Sequence, residues 1–155
     1  MTHPAIGDTA PDINLPRDGG EIVKLSDFAG KKVVLYFYPK DDTPGCTKEA
    51  IGFTDAVEAF AAKDTVILGV SKDSVKKHDK FIAKHELKIA LLSDEDGDVC
   101  ERYGTWVEKN MYGKTYMGIE RATYLIGADG KIAQGWRKVK VPGHVDAVLD
   151  AVSAL

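Results

Sequence analysis

The stretch Val33-Val34-Leu35-Tyr36-Phe37-Tyr38, followed by Pro39, the loop Lys40-Asp41-Asp42-Thr43-Pro44-Gly45 and then Cys46, decides how this chain folds. Six consecutive apolar residues, mostly β-branched or aromatic, have the length of a strand and no polar face, so they read as a strand buried on both sides. Pro39 ends it, because proline has no N–H to give to a sheet ladder. The loop is full of turn formers. Beyond it Ala50, Phe53, Val57 and Phe60 fall at i, i+3, i+7 and i+10, the spacing of one helix face. A buried strand, a rigid loop and a helix follow in order, with a cysteine where helical spacing starts.

Working outward, the residues up to Gly30 hold Pro4, Pro11, Pro16 and the pair Gly19-Gly20, which suits a short N-terminal β-hairpin with Ile22 to Leu25 as its return strand. Thr65 to Val70 is a second apolar strand. Asp73 or Ser74 then caps a helix whose stripe includes Val75, Phe81 and Ile82. Ala90 to Leu92 reads as a short strand and Val99 to Tyr103 as a short helix. Arg121 to Ile126 and Lys131 to Trp136 form a hairpin around Ala128-Asp129-Gly130. Val145, Val148, Leu149, Val152 and Leu155 mark an amphipathic helix running to the last residue. Alternating β and α elements closed by an antiparallel hairpin predict an α/β fold. Its mixed central sheet is flanked by helices on both faces, and residues 1–155 read as one domain.

The composition narrows the function. The chain has 155 residues, 44% hydrophobic and 29% charged, with a net charge of -3. A chain of that length buries roughly 70% of its unfolded surface and needs no metal or disulfide to hold a core. Mild acidity with scattered Lys and Arg argues against a nucleic-acid or membrane partner. No apolar run approaches the roughly 18 residues of a spanning helix, and Met1 to Asp8 carries neither a basic segment nor an apolar signal core. Two cysteines, Cys46 and Cys100, are too few for a secreted framework, so a cytoplasmic protein with thiol chemistry is expected.

The first turn of a helix exposes unpaired N–H groups and a partial positive charge, both of which favour a thiolate. Ionisation is a weak catalyst by itself. A thiol whose pKa falls from about 8.5 to about 6 gains only about 30-fold in thiolate at pH 7. The remainder must come from groups that hold the electrophile and stabilise charge on its leaving atom, a task suited to Thr43, the loop amides and a nearby cation.

Here the residues resemble a family. Pro39-x-x-x-Thr43-x-x-Cys46 is the active-site signature of the peroxiredoxins. The fuller wording Phe37 to Thr47 is similar to their bacterioferritin comigratory protein branch, also called PrxQ. The similarity continues through Gly69 to Ser74, Leu91 to Asp94, Tyr103-Gly104, Lys109 to Lys114 and Gly118 to Thr123, nearly the whole chain. The resemblance implies a thioredoxin-like fold and reduction of hydrogen peroxide or organic hydroperoxides without a cofactor, with Cys46 as the attacking thiol. It further implies that Thr43 hydrogen-bonds the peroxide, Pro39 walls the pocket against water, Arg121 faces Cys46, and Glu49 orients Arg121. Physical chemistry agrees, because attack on an O–O bond pushes charge onto the departing oxygen, which a guanidinium can contact together with the thiolate. The product is a sulfenic acid that a second thiol must condense with.

That second thiol is where the chain departs from the pattern. The two positions at which the branch carries a resolving cysteine hold Ile51 and Phe81-Ile82-Ala83. Cys100 is the remaining candidate. Beside Val99 and Tyr103 its plain reading is a buried helix-face residue, so a single-cysteine enzyme reduced by thioredoxin or another small thiol is expected, acting as a monomer. A thioredoxin-like disulfide oxidoreductase needs a Cys-x-x-Cys pair, and Cys46 is followed by Glu49 instead. A stoichiometric redox sensor or chaperone-like binding module on the same fold is the alternative outside catalysis.

Of the four histidines, His3, His78, His85 and His144, none fits the spacing of a zinc motif, and no metal is expected. His78 and His85 fall on the apolar helix face and read as packing. Trp106 is either packing or a pocket rim, and Lys76, Lys77, Lys80, Lys84 and Lys88 make a solvated face or a dock for an acidic reductase.

Overall fold

The computed structural model describes residues 3–155; Met1 and Thr2, the start of the segment read as carrying no signal core, lie outside it. The elements are β1 (Asn14–Pro16), β2 (Ile22–Lys24), β3 (Lys32–Phe37), α1 (Pro44–Asp55), α2 (Val57–Ala61), β4 (Thr65–Ser71), α3 (Val75–His85) and β5 (Ala90–Ser93). After these come α4 (Val99–Arg102), β6 (Trp106–Met111), β7 (Lys114–Ile119), β8 (Ala122–Ile126), β9 (Ile132–Trp136) and α5 (His144–Ser153).

The central sheet has the order β5-β4-β3-β8-β9, so the six-residue apolar run occupies its middle. It pairs in parallel with β4 (Leu35 opposite Leu68) and antiparallel with β8 (Leu35 opposite Tyr124). The sheet is therefore mixed, the thioredoxin-like arrangement expected. Side chains alternate across β3. Val33, Leu35 and Phe37 enter one core with Leu15, Val23, Val99, Cys100 and Tyr103. Val34, Tyr36 and Tyr38 enter the other with Cys46, Phe53, Phe60, Phe81, Val148 and Val152. Burying each large apolar side chain contributes about 1.5–3 kcal/mol, so both layers hold β3 in place. Four helices cover the second face, whereas the one-turn α4 and the β1–β2 hairpin cover the first. Among the described residues, no helix is long and apolar enough to cross a membrane.

Three details differ from the sequence reading. The helix after Cys46 is broken at Ala56, whose φ of -96° and ψ of 0° separate α1 from α2. The last helix stops at Ser153 and leaves Leu155 55% exposed, so the apolar spacing overran the helix by two residues. A third hairpin, β6–β7, lies where no strand is expected, turning at Tyr112-Gly113 with φ of 54° and 77°. Ser74, rather than Asp73, caps α3, its hydroxyl accepting from the Lys77 N–H at 3.2 Å.

Candidate active site

The loop from β3 into α1 is built by its own side chains. Asp42 adopts φ of 60°, a left-handed conformation that aspartate tolerates better than most residues. Thr43 follows in an extended conformation at the N-cap, and Pro44 occupies the first helical position, where its missing N–H costs nothing. The Thr43 hydroxyl donates to the Lys40 carbonyl at 2.8 Å and does not cap the helix. Its one proton is thus committed, and its oxygen can still accept a hydrogen bond. The Thr47 N–H makes the first intrahelical bond to the Thr43 carbonyl at 2.8 Å.

Cys46 is the third residue of α1 and is 2% exposed. Glu49, one turn further, lies on the same face and is fully buried. Arg121, which stands between β7 and β8 rather than inside a strand, reaches across to both. Its Nη2 donates to Cys46 Sγ at 3.2 Å and its Nη1 to Glu49 Oε1 at 2.6 Å. The Arg121 carbonyl accepts from the Val139 N–H at 3.0 Å, which fixes the backbone from which the guanidinium extends. A β-carbon at Gly45 would lie 3.3 Å from Arg121 Nη2, so glycine leaves the space the guanidinium needs.

The charges follow from burial. Loss of water, partly offset by Arg121, lifts the Glu49 carboxyl to about 7. Burial acts to lower the Arg121 guanidinium, but Glu49 and Cys46 outweigh it and hold it charged. His144 lies nearby, with its Nε2 2.8 Å from Thr123 Oγ1. Burial, helped by the Arg121 charge, pushes its imidazole down to about 4, so it is neutral at pH 7. Burial and the Arg121 charge push the Lys109 ammonium of β6 below the ordinary lysine range.

Thus Cys46, Glu49 and Arg121 come together as the resemblance implies, with Thr43 three residues before the thiol. Pro39 follows β3 after Tyr38 and is exposed. Cys100 does not join them. It is fully buried in the opposite core layer, where burial and the Asp94 charge push its thiol above the ordinary range. Trp106 packs on that same layer with the Lys72 ammonium 5.1 Å from its ring centre, which favours the packing reading. Sequence reasoning missed Gly45, whose value is visible only once Arg121 arrives from 76 positions away.

Comparison with known proteins gives one consistent result. The AhpC/TSA family pattern matches residues 6–134. Peroxiredoxin Bcp of Bacillus subtilis is 53% identical over 147 residues, covering 95% of this chain and 94% of that one. Peroxiredoxin Bcp of Escherichia coli is 46% identical over 144 residues, covering 93% and 92%. Among solved structures, a Cys-to-Ser mutant of Xylella fastidiosa PrxQ superposes with a TM-score of 0.94 at 42% identity over 99% of this chain and 98% of that one. The bacterioferritin comigratory protein of Xanthomonas campestris, in a structure concerned with its alkyl peroxide reduction activity, gives 0.89 at 46% identity over 97% and 96%.

Proposed function

This chain belongs to the AhpC/TSA family and is a peroxiredoxin, a thiol peroxidase, and we propose that Cys46 is the residue that attacks the peroxide. The observation that carries the assignment is the guanidinium of Arg121, which touches Cys46 Sγ at 3.2 Å and is held by buried Glu49 at 2.6 Å. A cation placed there stabilises the thiolate before attack and the departing oxygen during it. The thiolate sulfur bonds to one peroxide oxygen as the O–O bond breaks, and the departing oxygen takes a proton to leave as water or an alcohol. Cys46 is left as a sulfenic acid. Thr43, with its proton on the Lys40 carbonyl, accepts the O–H of the incoming hydroperoxide. Pro39 sits at the rim of the loop.

We propose single-cysteine turnover. One outside thiol condenses with the sulfenic acid and releases water, and a second displaces it as a disulfide, regenerating Cys46. The separation of Cys46 and Cys100 into opposite core layers supports this reading. Thioredoxin or another small thiol is the proposed reductant, and alkyl hydroperoxides as well as hydrogen peroxide are the proposed substrates. The proposed setting is a cytoplasmic monomer of one domain, in keeping with two unpaired cysteines and a reducing compartment.

Steady-state peroxidase assays with a dithiol reductant test the assignment. Cys46→Ser should fold normally and lose peroxide reduction, because a hydroxyl replaces the thiol with little change in volume but far less ionisation and nucleophilicity. Residual activity above about a hundredth of wild type would remove Cys46 from the role.

A further inference from the structure

The two aspartates of the loop before Cys46 are both held by α3, a tie that the attack chemistry does not use. Asp42 meets Lys84 Nζ at 2.7 Å and His85 Nε2 at 2.9 Å. Asp41 is held more firmly and deeper. Its Oδ2 lies 2.6 Å from His78 Nδ1, its Oδ1 accepts from the Tyr38 hydroxyl at 2.6 Å, and its N–H donates to Asp73 Oδ2 at 2.8 Å. His78 is fully buried, and its second nitrogen, Nε2, lies 2.9 Å from the Leu92 carbonyl of β5.

With Asp41 ionised, the hydrogen-bond valences call for a doubly protonated His78. A neutral imidazole carries one N–H, but here both ring nitrogens face oxygen acceptors. The Leu92 carbonyl can only accept. The Asp41 carboxylate already receives the Tyr38 proton and, while ionised, can only accept. The doubly protonated imidazolium is the one form that satisfies both contacts, and a buried acceptor left without a donor is costly. The charged groups that bear on the ring are acidic, Asp41 from the loop and Asp73 from the segment before α3, and the Tyr38 ring lies tilted 6.5 Å away. Burial, the largest single influence, works against the charge, but the bond and charge of Asp41, the Leu92 carbonyl and the Asp73 charge together outweigh it, so the imidazole keeps its proton above the ordinary histidine range.

We propose that His78 is a positioning residue for peroxide reduction: as an imidazolium it bridges Asp41 to β5 and holds Thr43 and the first turn of α1 in the reactive arrangement. The inference rests on the reading of Cys46 and Thr43 given above. Asp41 is two residues from Thr43, whose carbonyl starts α1, so movement at Asp41 is passed to both the peroxide-accepting hydroxyl and the helix that carries the thiol. Loss of the His78 proton at higher pH leaves one acceptor unpaired and loosens the loop.

Two measurements on the whole protein test this. Nitrogen-15 NMR of the histidine rings should find both His78 nitrogens protonated at pH 7. Stopped-flow rates of Cys46 oxidation by hydrogen peroxide should fall at high pH with the midpoint of the His78 titration. In His78→Gln the rate at pH 7 should drop about tenfold and that falling limb should vanish. Asp41→Asn should lower the His78 titration by about one unit or more and move the limb with it, which keeps the test decisive if His78→Gln does not fold. A neutral His78 at pH 7, or a limb that stays where it is when the His78 titration moves, overturns the proposal. Failure of the Cys46 assignment would show separately, as activity retained by Cys46→Ser with the His78 titration unchanged.

Discussion

Arg121 is where geometry and reactivity meet most closely. Its planar fork gives one nitrogen to Cys46 and another to Glu49, which a lysine ammonium cannot reproduce from the same position. Arg121→Lys should therefore slow sulfenic acid formation by about 10²-fold or more. A stopped-flow rate constant within about threefold of wild type would reduce Arg121 to packing. Glu49 has a thermodynamic signature. With its folded value near 7 against an ordinary 4.5, the native state keeps a proton that the unfolded chain releases between those values, so this group's contribution to stability falls as pH rises through that window. His144, near 4 against 6.5, acts with the opposite sign: the unfolded chain takes a proton the native state refuses, and stability falls as pH drops from 6.5 to 4. Glu49→Gln removes the first effect alone. Its stability relative to wild type should rise by about 1–3 kcal/mol between about pH 5 and pH 7.5 in denaturant titrations, and a constant difference would contradict a buried, titrating Glu49. Glu49 and Arg121 are candidates only through the resemblance to the peroxiredoxins, whereas Cys46 and Thr43 could be picked out from sequence because a thiol at a helix start after a turn-rich loop answers a chemical need. His78 could not, since a histidine on an apolar helix face reads as packing, and its partners, Asp41 and Leu92, meet it only in the folded chain.

At the level of elements, legibility followed how much of each one is buried. The β3 run is apolar throughout because both faces are covered, and it was readable to within one residue. The β6–β7 hairpin was not. Glu108, Lys109 and Asn110 interrupt any alternation, most of its residues are exposed, and its turn carries tyrosine where asparagine or aspartate would signal a hairpin. That tyrosine offers a test. Tyr112 is 97% exposed and held at φ of 54°, so Tyr112→Asn removes backbone strain and loses almost no burial. It should raise stability by about 0.5–1 kcal/mol, and a loss would mean that the tyrosine ring makes a contact of its own. The β3–β4 pair is the opposite case. A β-carbon on Gly69 would come within 2.8 Å of both the Tyr36 ring and Leu91 Cδ2, in a layer with no room to yield. Gly69→Ala should cost about 1–3 kcal/mol, measured by equilibrium unfolding.

Across the whole molecule, the period-2 alternation of β3 separates the two thiols. Cys46 packs with Tyr36 and Tyr38 on one side of the sheet, Cys100 with Leu35 and Phe37 on the other. The order of strands and helices could be read from hydrophobic periodicity. Which face each helix covers could not, because an amphipathic stripe says that a face is buried without saying against what. That missing fact is the one that bears on Cys100, since the central sheet stands between the two sulfur atoms. The most direct test is the intact mass of the wild-type protein after one equivalent of hydroperoxide, with peptide mapping. A gain of one oxygen atom per chain, located on Cys46 and removed by an outside thiol, is expected. A loss of two hydrogens per chain, with a peptide linking Cys46 to Cys100, or an oxygen placed on any residue but Cys46, would contradict it.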